Sequence, residues 1–237
     1  SLHGDSNDLV ILGDGTTTTL SSLNVGDTVK SLDIFSLPND NESYNSWRGV
    51  ETDVINNTTS TTSIVTNKIS KSIGVFMVNL TLDNGLVIQN IKNTIILIKT
   101  SENEIKFESF GRLGVGSQII LGNVSDDSLF TSTVTSVTYQ YKQIIGNSVD
   151  VEDEDVYLIL DDNSDPTKYT IHHNKTLPAA SCNCYYKEEE WYDCICEQPC
   201  ISDVSECQDF NPFFIDCCQS PPNCNGMSGF GNYAEGQ

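Results

Sequence analysis

Apolar residues in the first two thirds of the chain come in short runs, interleaved with Thr, Ser and Asn and separated by turn-forming pairs. Val10-Ile11-Leu12 is closed by Gly13-Asp14-Gly15, and a Thr/Ser-rich segment returns. This is hairpin chemistry, because an Asp-Gly pair supplies the backbone angles that a tight turn between strands requires. The pattern puts the first hairpin at about residues 8–31, with 32–34 extending its second strand. Residues 35–57 carry Pro38-Asn39-Asp40-Asn41 and the scattered Tyr44, Trp47 and Arg48 without a clear period, and read as a long surface loop with aromatic anchors. Strand runs resume at 59–67 and 73–82, and Asn84-Gly85, the strongest hairpin signal in the chain, leads into Leu86-Val87-Ile88. Further strands are expected at 129–141, 155–160 and 168–173, with an acidic loop at 147–155 and a turn cluster at 161–166. Long stretches with apolar spacing of three and four are missing, so the expected fold class is all-β.

One pattern occurs twice. Leu23-Asn24-Val25-Gly26-Asp27-Thr28-Val29-Lys30 is echoed by Leu113-Gly114-Val115-Gly116-Ser117-Gln118-Ile119-Ile120. Two copies suggest a pseudo-symmetric pair of β subunits, since a solenoid needs three or more repeats.

Composition divides the chain. All nine cysteines lie at or after position 182, in a sequence of 237 residues long enough to bury a core. We therefore expect a β domain at 1–175 and an acidic, cysteine-rich tail at 176–237. Such a short polar tail needs covalent or metal staples to hold a shape. Its Cys-x-Cys and Cys-Cys spacings favour disulfides over zinc, which prefers Cys-x₂₋₄-Cys pairs; Cys182, Cys184, Cys194 and Cys196 would be the ligands in the zinc alternative. Nine is odd, so one thiol is free, paired between chains or metal-bound. Disulfides would imply an oxidising, extracellular setting or an assembled particle, and the tail could hold a protein partner. The formal net charge of -21 opposes a phosphate backbone and argues against nucleic-acid binding. No apolar run approaches membrane-spanning length, so no membrane partner is expected.

The chemistry is carried by the two ends of the β region. Ser1 begins the sequence and is followed by Gly4-Asp5-Ser6, an apolar strand, an Asp-Gly turn and Val25-Gly26-Asp27. At the other end stands Tyr169-Thr170-Ile171-His172-His173-Asn174, preceded by Asp155-Val156-Tyr157-Leu158. This order resembles the Hint family, the Hedgehog/intein autoprocessing domains, which are themselves built with a pseudo-twofold. The resemblance implies a horseshoe-shaped β fold and a reaction in which Ser1 attacks the carbonyl just before it, converting an amide to an ester. It also implies that His173 assists cyclisation of Asn174. Where the family has a Thr-x-x-His pair, this chain reads Asn90-Ile91-Lys92-Asn93. An Asn side chain donates a hydrogen bond but cannot cycle a proton near neutral pH. Lys92 and His172 are the groups that could replace the lost histidine. Full splicing also needs Cys, Ser or Thr after Asn174, and Lys175 stands there. The expectation is single-turnover cleavage at Ser1 without a cofactor, releasing an upstream segment of the same precursor; autocleavage would leave Ser at the first position. The alternative is a Hint scaffold that has lost the reaction and serves as a structural or interaction domain of a virion, such as a phage tail or surface, or of another extracellular assembly.

Overall fold

The computed structural model describes residues 4–38, 47–92, 94–153, 155–160 and 166–173, and the backbone of two strands at 182–187 and 190–196. In chain order the first strands are β1 (Gly4–Asp5), β2 (Leu9–Ile11), β3 (Thr17–Thr19), β4 (Thr28–Asp33) and β5 (Gly49–Val50). A seven-residue helix, α1 (Glu51–Asn57), leads into the 24-residue β6 (Thr59–Leu82). Then come β7 (Val87–Ile91), β8 (Ile95–Ser101), β9 (Glu104–Ser109), β10 (Gln118–Asn123), the 23-residue β11 (Leu129–Val151), β12 (Val156–Leu160) and β13 (Lys168–His173). All thirteen pair into one antiparallel network, and β14 (Cys182–Lys187) pairs separately with β15 (Glu190–Cys196).

The all-β expectation holds, with local differences. The first hairpin is only β2 against β3, from Leu9 to Thr19, because Thr28–Asp33 leave it to pair with the start of β6. Residues 51–57 are helical where the sequence reads as loop; of the helix, only Val54 is buried, so no apolar period exists to betray it. The segments 59–67 and 73–82 are one continuous strand. Residues 147–151, expected in a loop, are the end of β11 and pair with residues 65–70 of β6.

The sequence echo is a structural repeat, visible bond by bond. In the first copy a 3-10 turn, Leu20–Ser22, ends as Leu23 N–H donates to Leu20 O. Gly26 turns the chain at φ +96°, its N–H donating to Val65 O, and Val65 N–H donates back to Asp27 O. In the second copy the 3-10 turn is Phe110–Arg112, and Leu113 N–H donates to Phe110 O. Gly116 takes φ +93° and donates to Val134 O, and Val134 N–H returns to Ser117 O. A turn acceptor closes each loop: Asp27 Oδ2 takes Asn24 N–H at 2.8 Å, and Ser117 Oγ takes Gly114 N–H at 3.0 Å. Glycine is required at both positive-φ corners, since a Cβ disfavours that geometry.

The repeat extends to the segments that enter each half. Asp8 N–H bonds Asp5 O while Leu20 and Ser21 donate to Asp8 O and Ser6 O. Likewise Thr94 N–H bonds Ile91 O while Phe110 and Gly111 donate to Thr94 O and Lys92 O. Residues 4–8 are thus the counterpart of 90–94, and the two long strands β6 and β11 are counterparts that run against each other over residues 65–82 and 134–151. The buried apolar residues fall into three clusters: one holds Val75, Met77, Leu80, Ile88, Phe110 and Leu121, a second Ile95, Leu97, Phe107, Val156, Leu158 and Ile171, and a third Val10, Leu20, Leu23, Val29, Val65 and Val149.

Candidate functional site

The two counterpart segments meet. Cα atoms of β1 and β7 approach within 8 Å, so the N-terminal strand lies near the strand that ends at Ile91. The last strand reaches the same place: His173 pairs across β8 with Ile95, the residue after Thr94, and across β12 with Val156. Three pieces far apart in sequence, 4–8, 90–95 and 172–173, therefore converge.

Of the residues singled out in the sequence, Ser1, Asn93 and Asn174 lie outside the described residues. Asn90 is fully buried opposite Val78 of β6, and its Oδ1 accepts the Thr94 hydroxyl at 2.9 Å. That bond ties the first residue of the turn to its last. Lys92 is also fully buried, and its carbonyl accepts Ser109 Oγ at 2.6 Å and Gly111 N–H at 2.9 Å, which fixes the turn to the segment ending β9. A buried lysine is rare because desolvation disfavours its charge.

Both histidines are buried, at 1% exposure each. Alternation along the strand turns them to opposite faces, and both are buried because β13 lies between β12 and β8 with both of its faces covered. His173 turns its ring to the edge of Phe107, centroids 4.9 Å apart at 66°. His172 faces the other way, tilted against Tyr157 at 5.5 Å, and its Nε2 lies 2.7 Å from Thr170 Oγ1. The same Thr170 hydroxyl lies 3.3 Å from Ile159 O.

The cysteines considered as zinc ligands, Cys182, Cys184, Cys194 and Cys196, fall on β14 and β15, where the backbone register sets Cys182 opposite Cys196. Sequence reasoning missed Asn147, which it put in a loop. Asn147 is fully buried on β11 opposite both Gly4 and Ser70. Its Nδ2 lies 3.4 Å from Gly4 O, 3.0 Å from Ser6 Oγ and 3.3 Å from Ile145 O, and its Oδ1 accepts Ser70 Oγ at 2.7 Å. Only the strand reading of 147–151 could have drawn attention to a buried amide there.

Among solved structures, the DnaB intein from Synechocystis sp. PCC 6803 superposes with a TM-score of 0.50 at 12% identity, covering 74% of this chain and 99% of its own. A mutant of the Ssp DnaB mini-intein superposes with a TM-score of 0.52 at 10% identity, covering 75% and 93%. The TvoVMA intein gives a TM-score of 0.50 at 12% identity, covering 73% and 98%. This chain has the intein fold. At such identities the likeness speaks for the fold alone, and the Hint resemblance in the sequence agrees with it. No protein-family model matches the chain, and no curated protein matches it in sequence. Nearly the whole of each intein is matched by about three quarters of this chain.

Proposed function

We propose that the β domain is an intein-like self-processing unit that breaks the peptide bond preceding Ser1 in a longer precursor. The observation that carries this reading is the convergence, within an intein fold, of the N-terminal strand, the 90–94 turn and the end of β13. In the proposed step Ser1 Oγ bonds to the carbonyl carbon of the preceding residue and the carbon–nitrogen bond breaks. The proton lost by the hydroxyl ends on the departing α-amine, and water then hydrolyses the ester. No cofactor is needed. The segment released is the upstream part of the same chain, and the reaction turns over once. Asn93, standing where the family has histidine, removes general acid-base help worth a factor of about 10² to 10⁴, so the cleavage is slow. His173 and Asn174 form the pair that would act at the other end, where Lys175 rules out transfer of the upstream segment.

A second reading is favoured by Asn90, whose carbonyl oxygen is already engaged by Thr94 within the turn. In that reading the fold is a scaffold, and the tail, stapled by disulfides or in the alternative by zinc, joins it to an extracellular or virion assembly.

The deciding experiment follows the intact mass of the chain preceded by a reporter domain, beside its Ser1→Ala variant. Loss of the reporter mass in the parent alone supports self-processing. Two stable masses would sink it in favour of the scaffold.

A further inference from the structure

The reaction proposed above needs the Ser1 hydroxyl held against one carbonyl, and the first described residue after it is Gly4. We propose that Asn147 is a positioning residue of this step: through Ser70 and Asn147 the paired long strands grip Gly4 and Ser6, on the N-terminal segment that follows Ser1. This rests on the self-processing reading and adds to it a residue with no counterpart in the Hint motifs.

Three facts support the assignment. Ser70, Asn147 and Gly4 lie in one row across β6, β11 and β1, each opposite the next. The row is tied by side chains as well as by the backbone: Ser70 Oγ donates to Asn147 Oδ1 at 2.7 Å, and the Asn147 amide faces both Gly4 O and Ser6 Oγ. An amide with both ends engaged has a fixed orientation, so it can carry the position of β6 to the entering strand. The grip is also tight on the other side, where a Cβ on Gly4 would come within 2.6 Å of Leu20 Cδ1.

The pseudo-twofold supplies a further argument. The pair Gly4–Asn147 is the counterpart of Asn90–Val78. Each half thus places one buried asparagine at the same cross-strand pair, on the long strand in one half and on the short strand in the other. Asn90 closes its own turn through Thr94, whereas Asn147 reaches across to the N-terminal strand. The amide that has moved to the long strand is the one placed to orient Gly4 and Ser6. Misplacing a reacting group by about 1 Å can cost on the order of 10²-fold in rate.

The test uses the full chain with a reporter domain directly ahead of residue 1, in two forms: with Ser1, and as Ser1→Cys cleaved by dithiothreitol. The second form reports positioning even where the hydroxyl is too weak a nucleophile. Asn147→Ala and Ser70→Ala are compared with Val134→Ala, a buried core truncation elsewhere on β11, at a temperature where circular dichroism finds all of them folded. We expect Asn147→Ala to slow cleavage at least about 10-fold, Ser70→Ala to slow it less, and the double variant to be no slower than Asn147→Ala alone. Val134→Ala should melt earlier yet cleave at the parental rate. Equal rates in Asn147→Ala and parent, or equal slowing by Val134→Ala, overturn the assignment and leave the self-processing reading standing. No cleavage from either parental form overturns both.

Discussion

At the scale of single residues, the decisive difference from the Hint pattern is a pair of amides where a hydroxyl and an imidazole are expected. Asn90 and Asn93 can orient a carbonyl by donating hydrogen bonds, but neither can move a proton. Replacing them together, Asn90→Thr with Asn93→His, should raise the rate of Ser1-dependent cleavage by about 10² to 10⁴, measured as loss of the reporter mass with time. An unchanged rate would mean that the 90–94 turn is not where the proton moves, and would shift attention to Lys92 and His172. The histidines also mark how far residues can be read without a fold. Their opposite facing follows from strand alternation; their joint burial does not, because it depends on β12 and β8 flanking β13 and on Phe107 and Tyr157 packing against the two rings. Asn147 was illegible for the same reason. Its neighbours Gly4 and Ser70 are more than seventy residues away along the chain.

At the scale of elements, turns were the legible features, since their chemistry is local. Asp14, Asp83 and Asp126 each use one carboxylate oxygen to accept a nearby hydroxyl: Thr16 at 2.6 Å, Ser132 at 2.6 Å and Ser128 at 2.7 Å. In each case that hydroxyl is the main cause holding the carboxyl below its ordinary value, with a backbone N–H second. Asp83 is the informative one, because it joins the β6–β7 turn to β11 through Ser132 Oγ and Thr133 N–H. A carboxylate whose folded value is depressed adds stability above its unfolded value and loses it as pH falls through the folded value. The difference in urea midpoint between the parent and Asp83→Asn should therefore be present at neutral pH and shrink on acidification below about pH 4. Taking the difference matters, since protonating a chain of net charge -21 also relieves repulsion, which acts in the opposite sense. A constant difference would place the effect in packing instead. Long strands were harder to read than turns. Between residues 67 and 72 the side chains of β6 are exposed or half-buried on both faces, so the alternation that announces a strand vanishes where it crosses from one half of the molecule to the other.

At the scale of the whole molecule, the pseudo-twofold makes the N-terminal residues depend on the C-terminal strands. β2 is flanked by β3 and by β12, where Val10 lies opposite Ile159, so the first hairpin has no sheet of its own until the last strands arrive. β12 and β13 contribute Tyr157, Leu158, Ile159, Tyr169 and Ile171, each no more than 1% exposed. At about 1.5 to 3 kcal/mol for each large side chain fully buried, these five account for roughly 7 to 15 kcal/mol. That equals the whole net stability of a typical domain, about 5 to 15 kcal/mol. Truncation after residue 155 should therefore abolish the cooperative thermal transition followed by circular dichroism. Truncation after residue 175 should retain it, because among the described residues β14 and β15 hydrogen-bond only to each other, approaching β6 without joining it, and the last strand of the thirteen-stranded network ends at His173. A chain ending at 175 that melted without cooperativity would make the cysteine-rich segment part of the folding unit, and the boundary at 175 would have to be abandoned. If it melts as the full chain does, the tail is free to serve another partner, and any effect of reducing agent on the full chain belongs to the tail alone, since every cysteine lies beyond the cut.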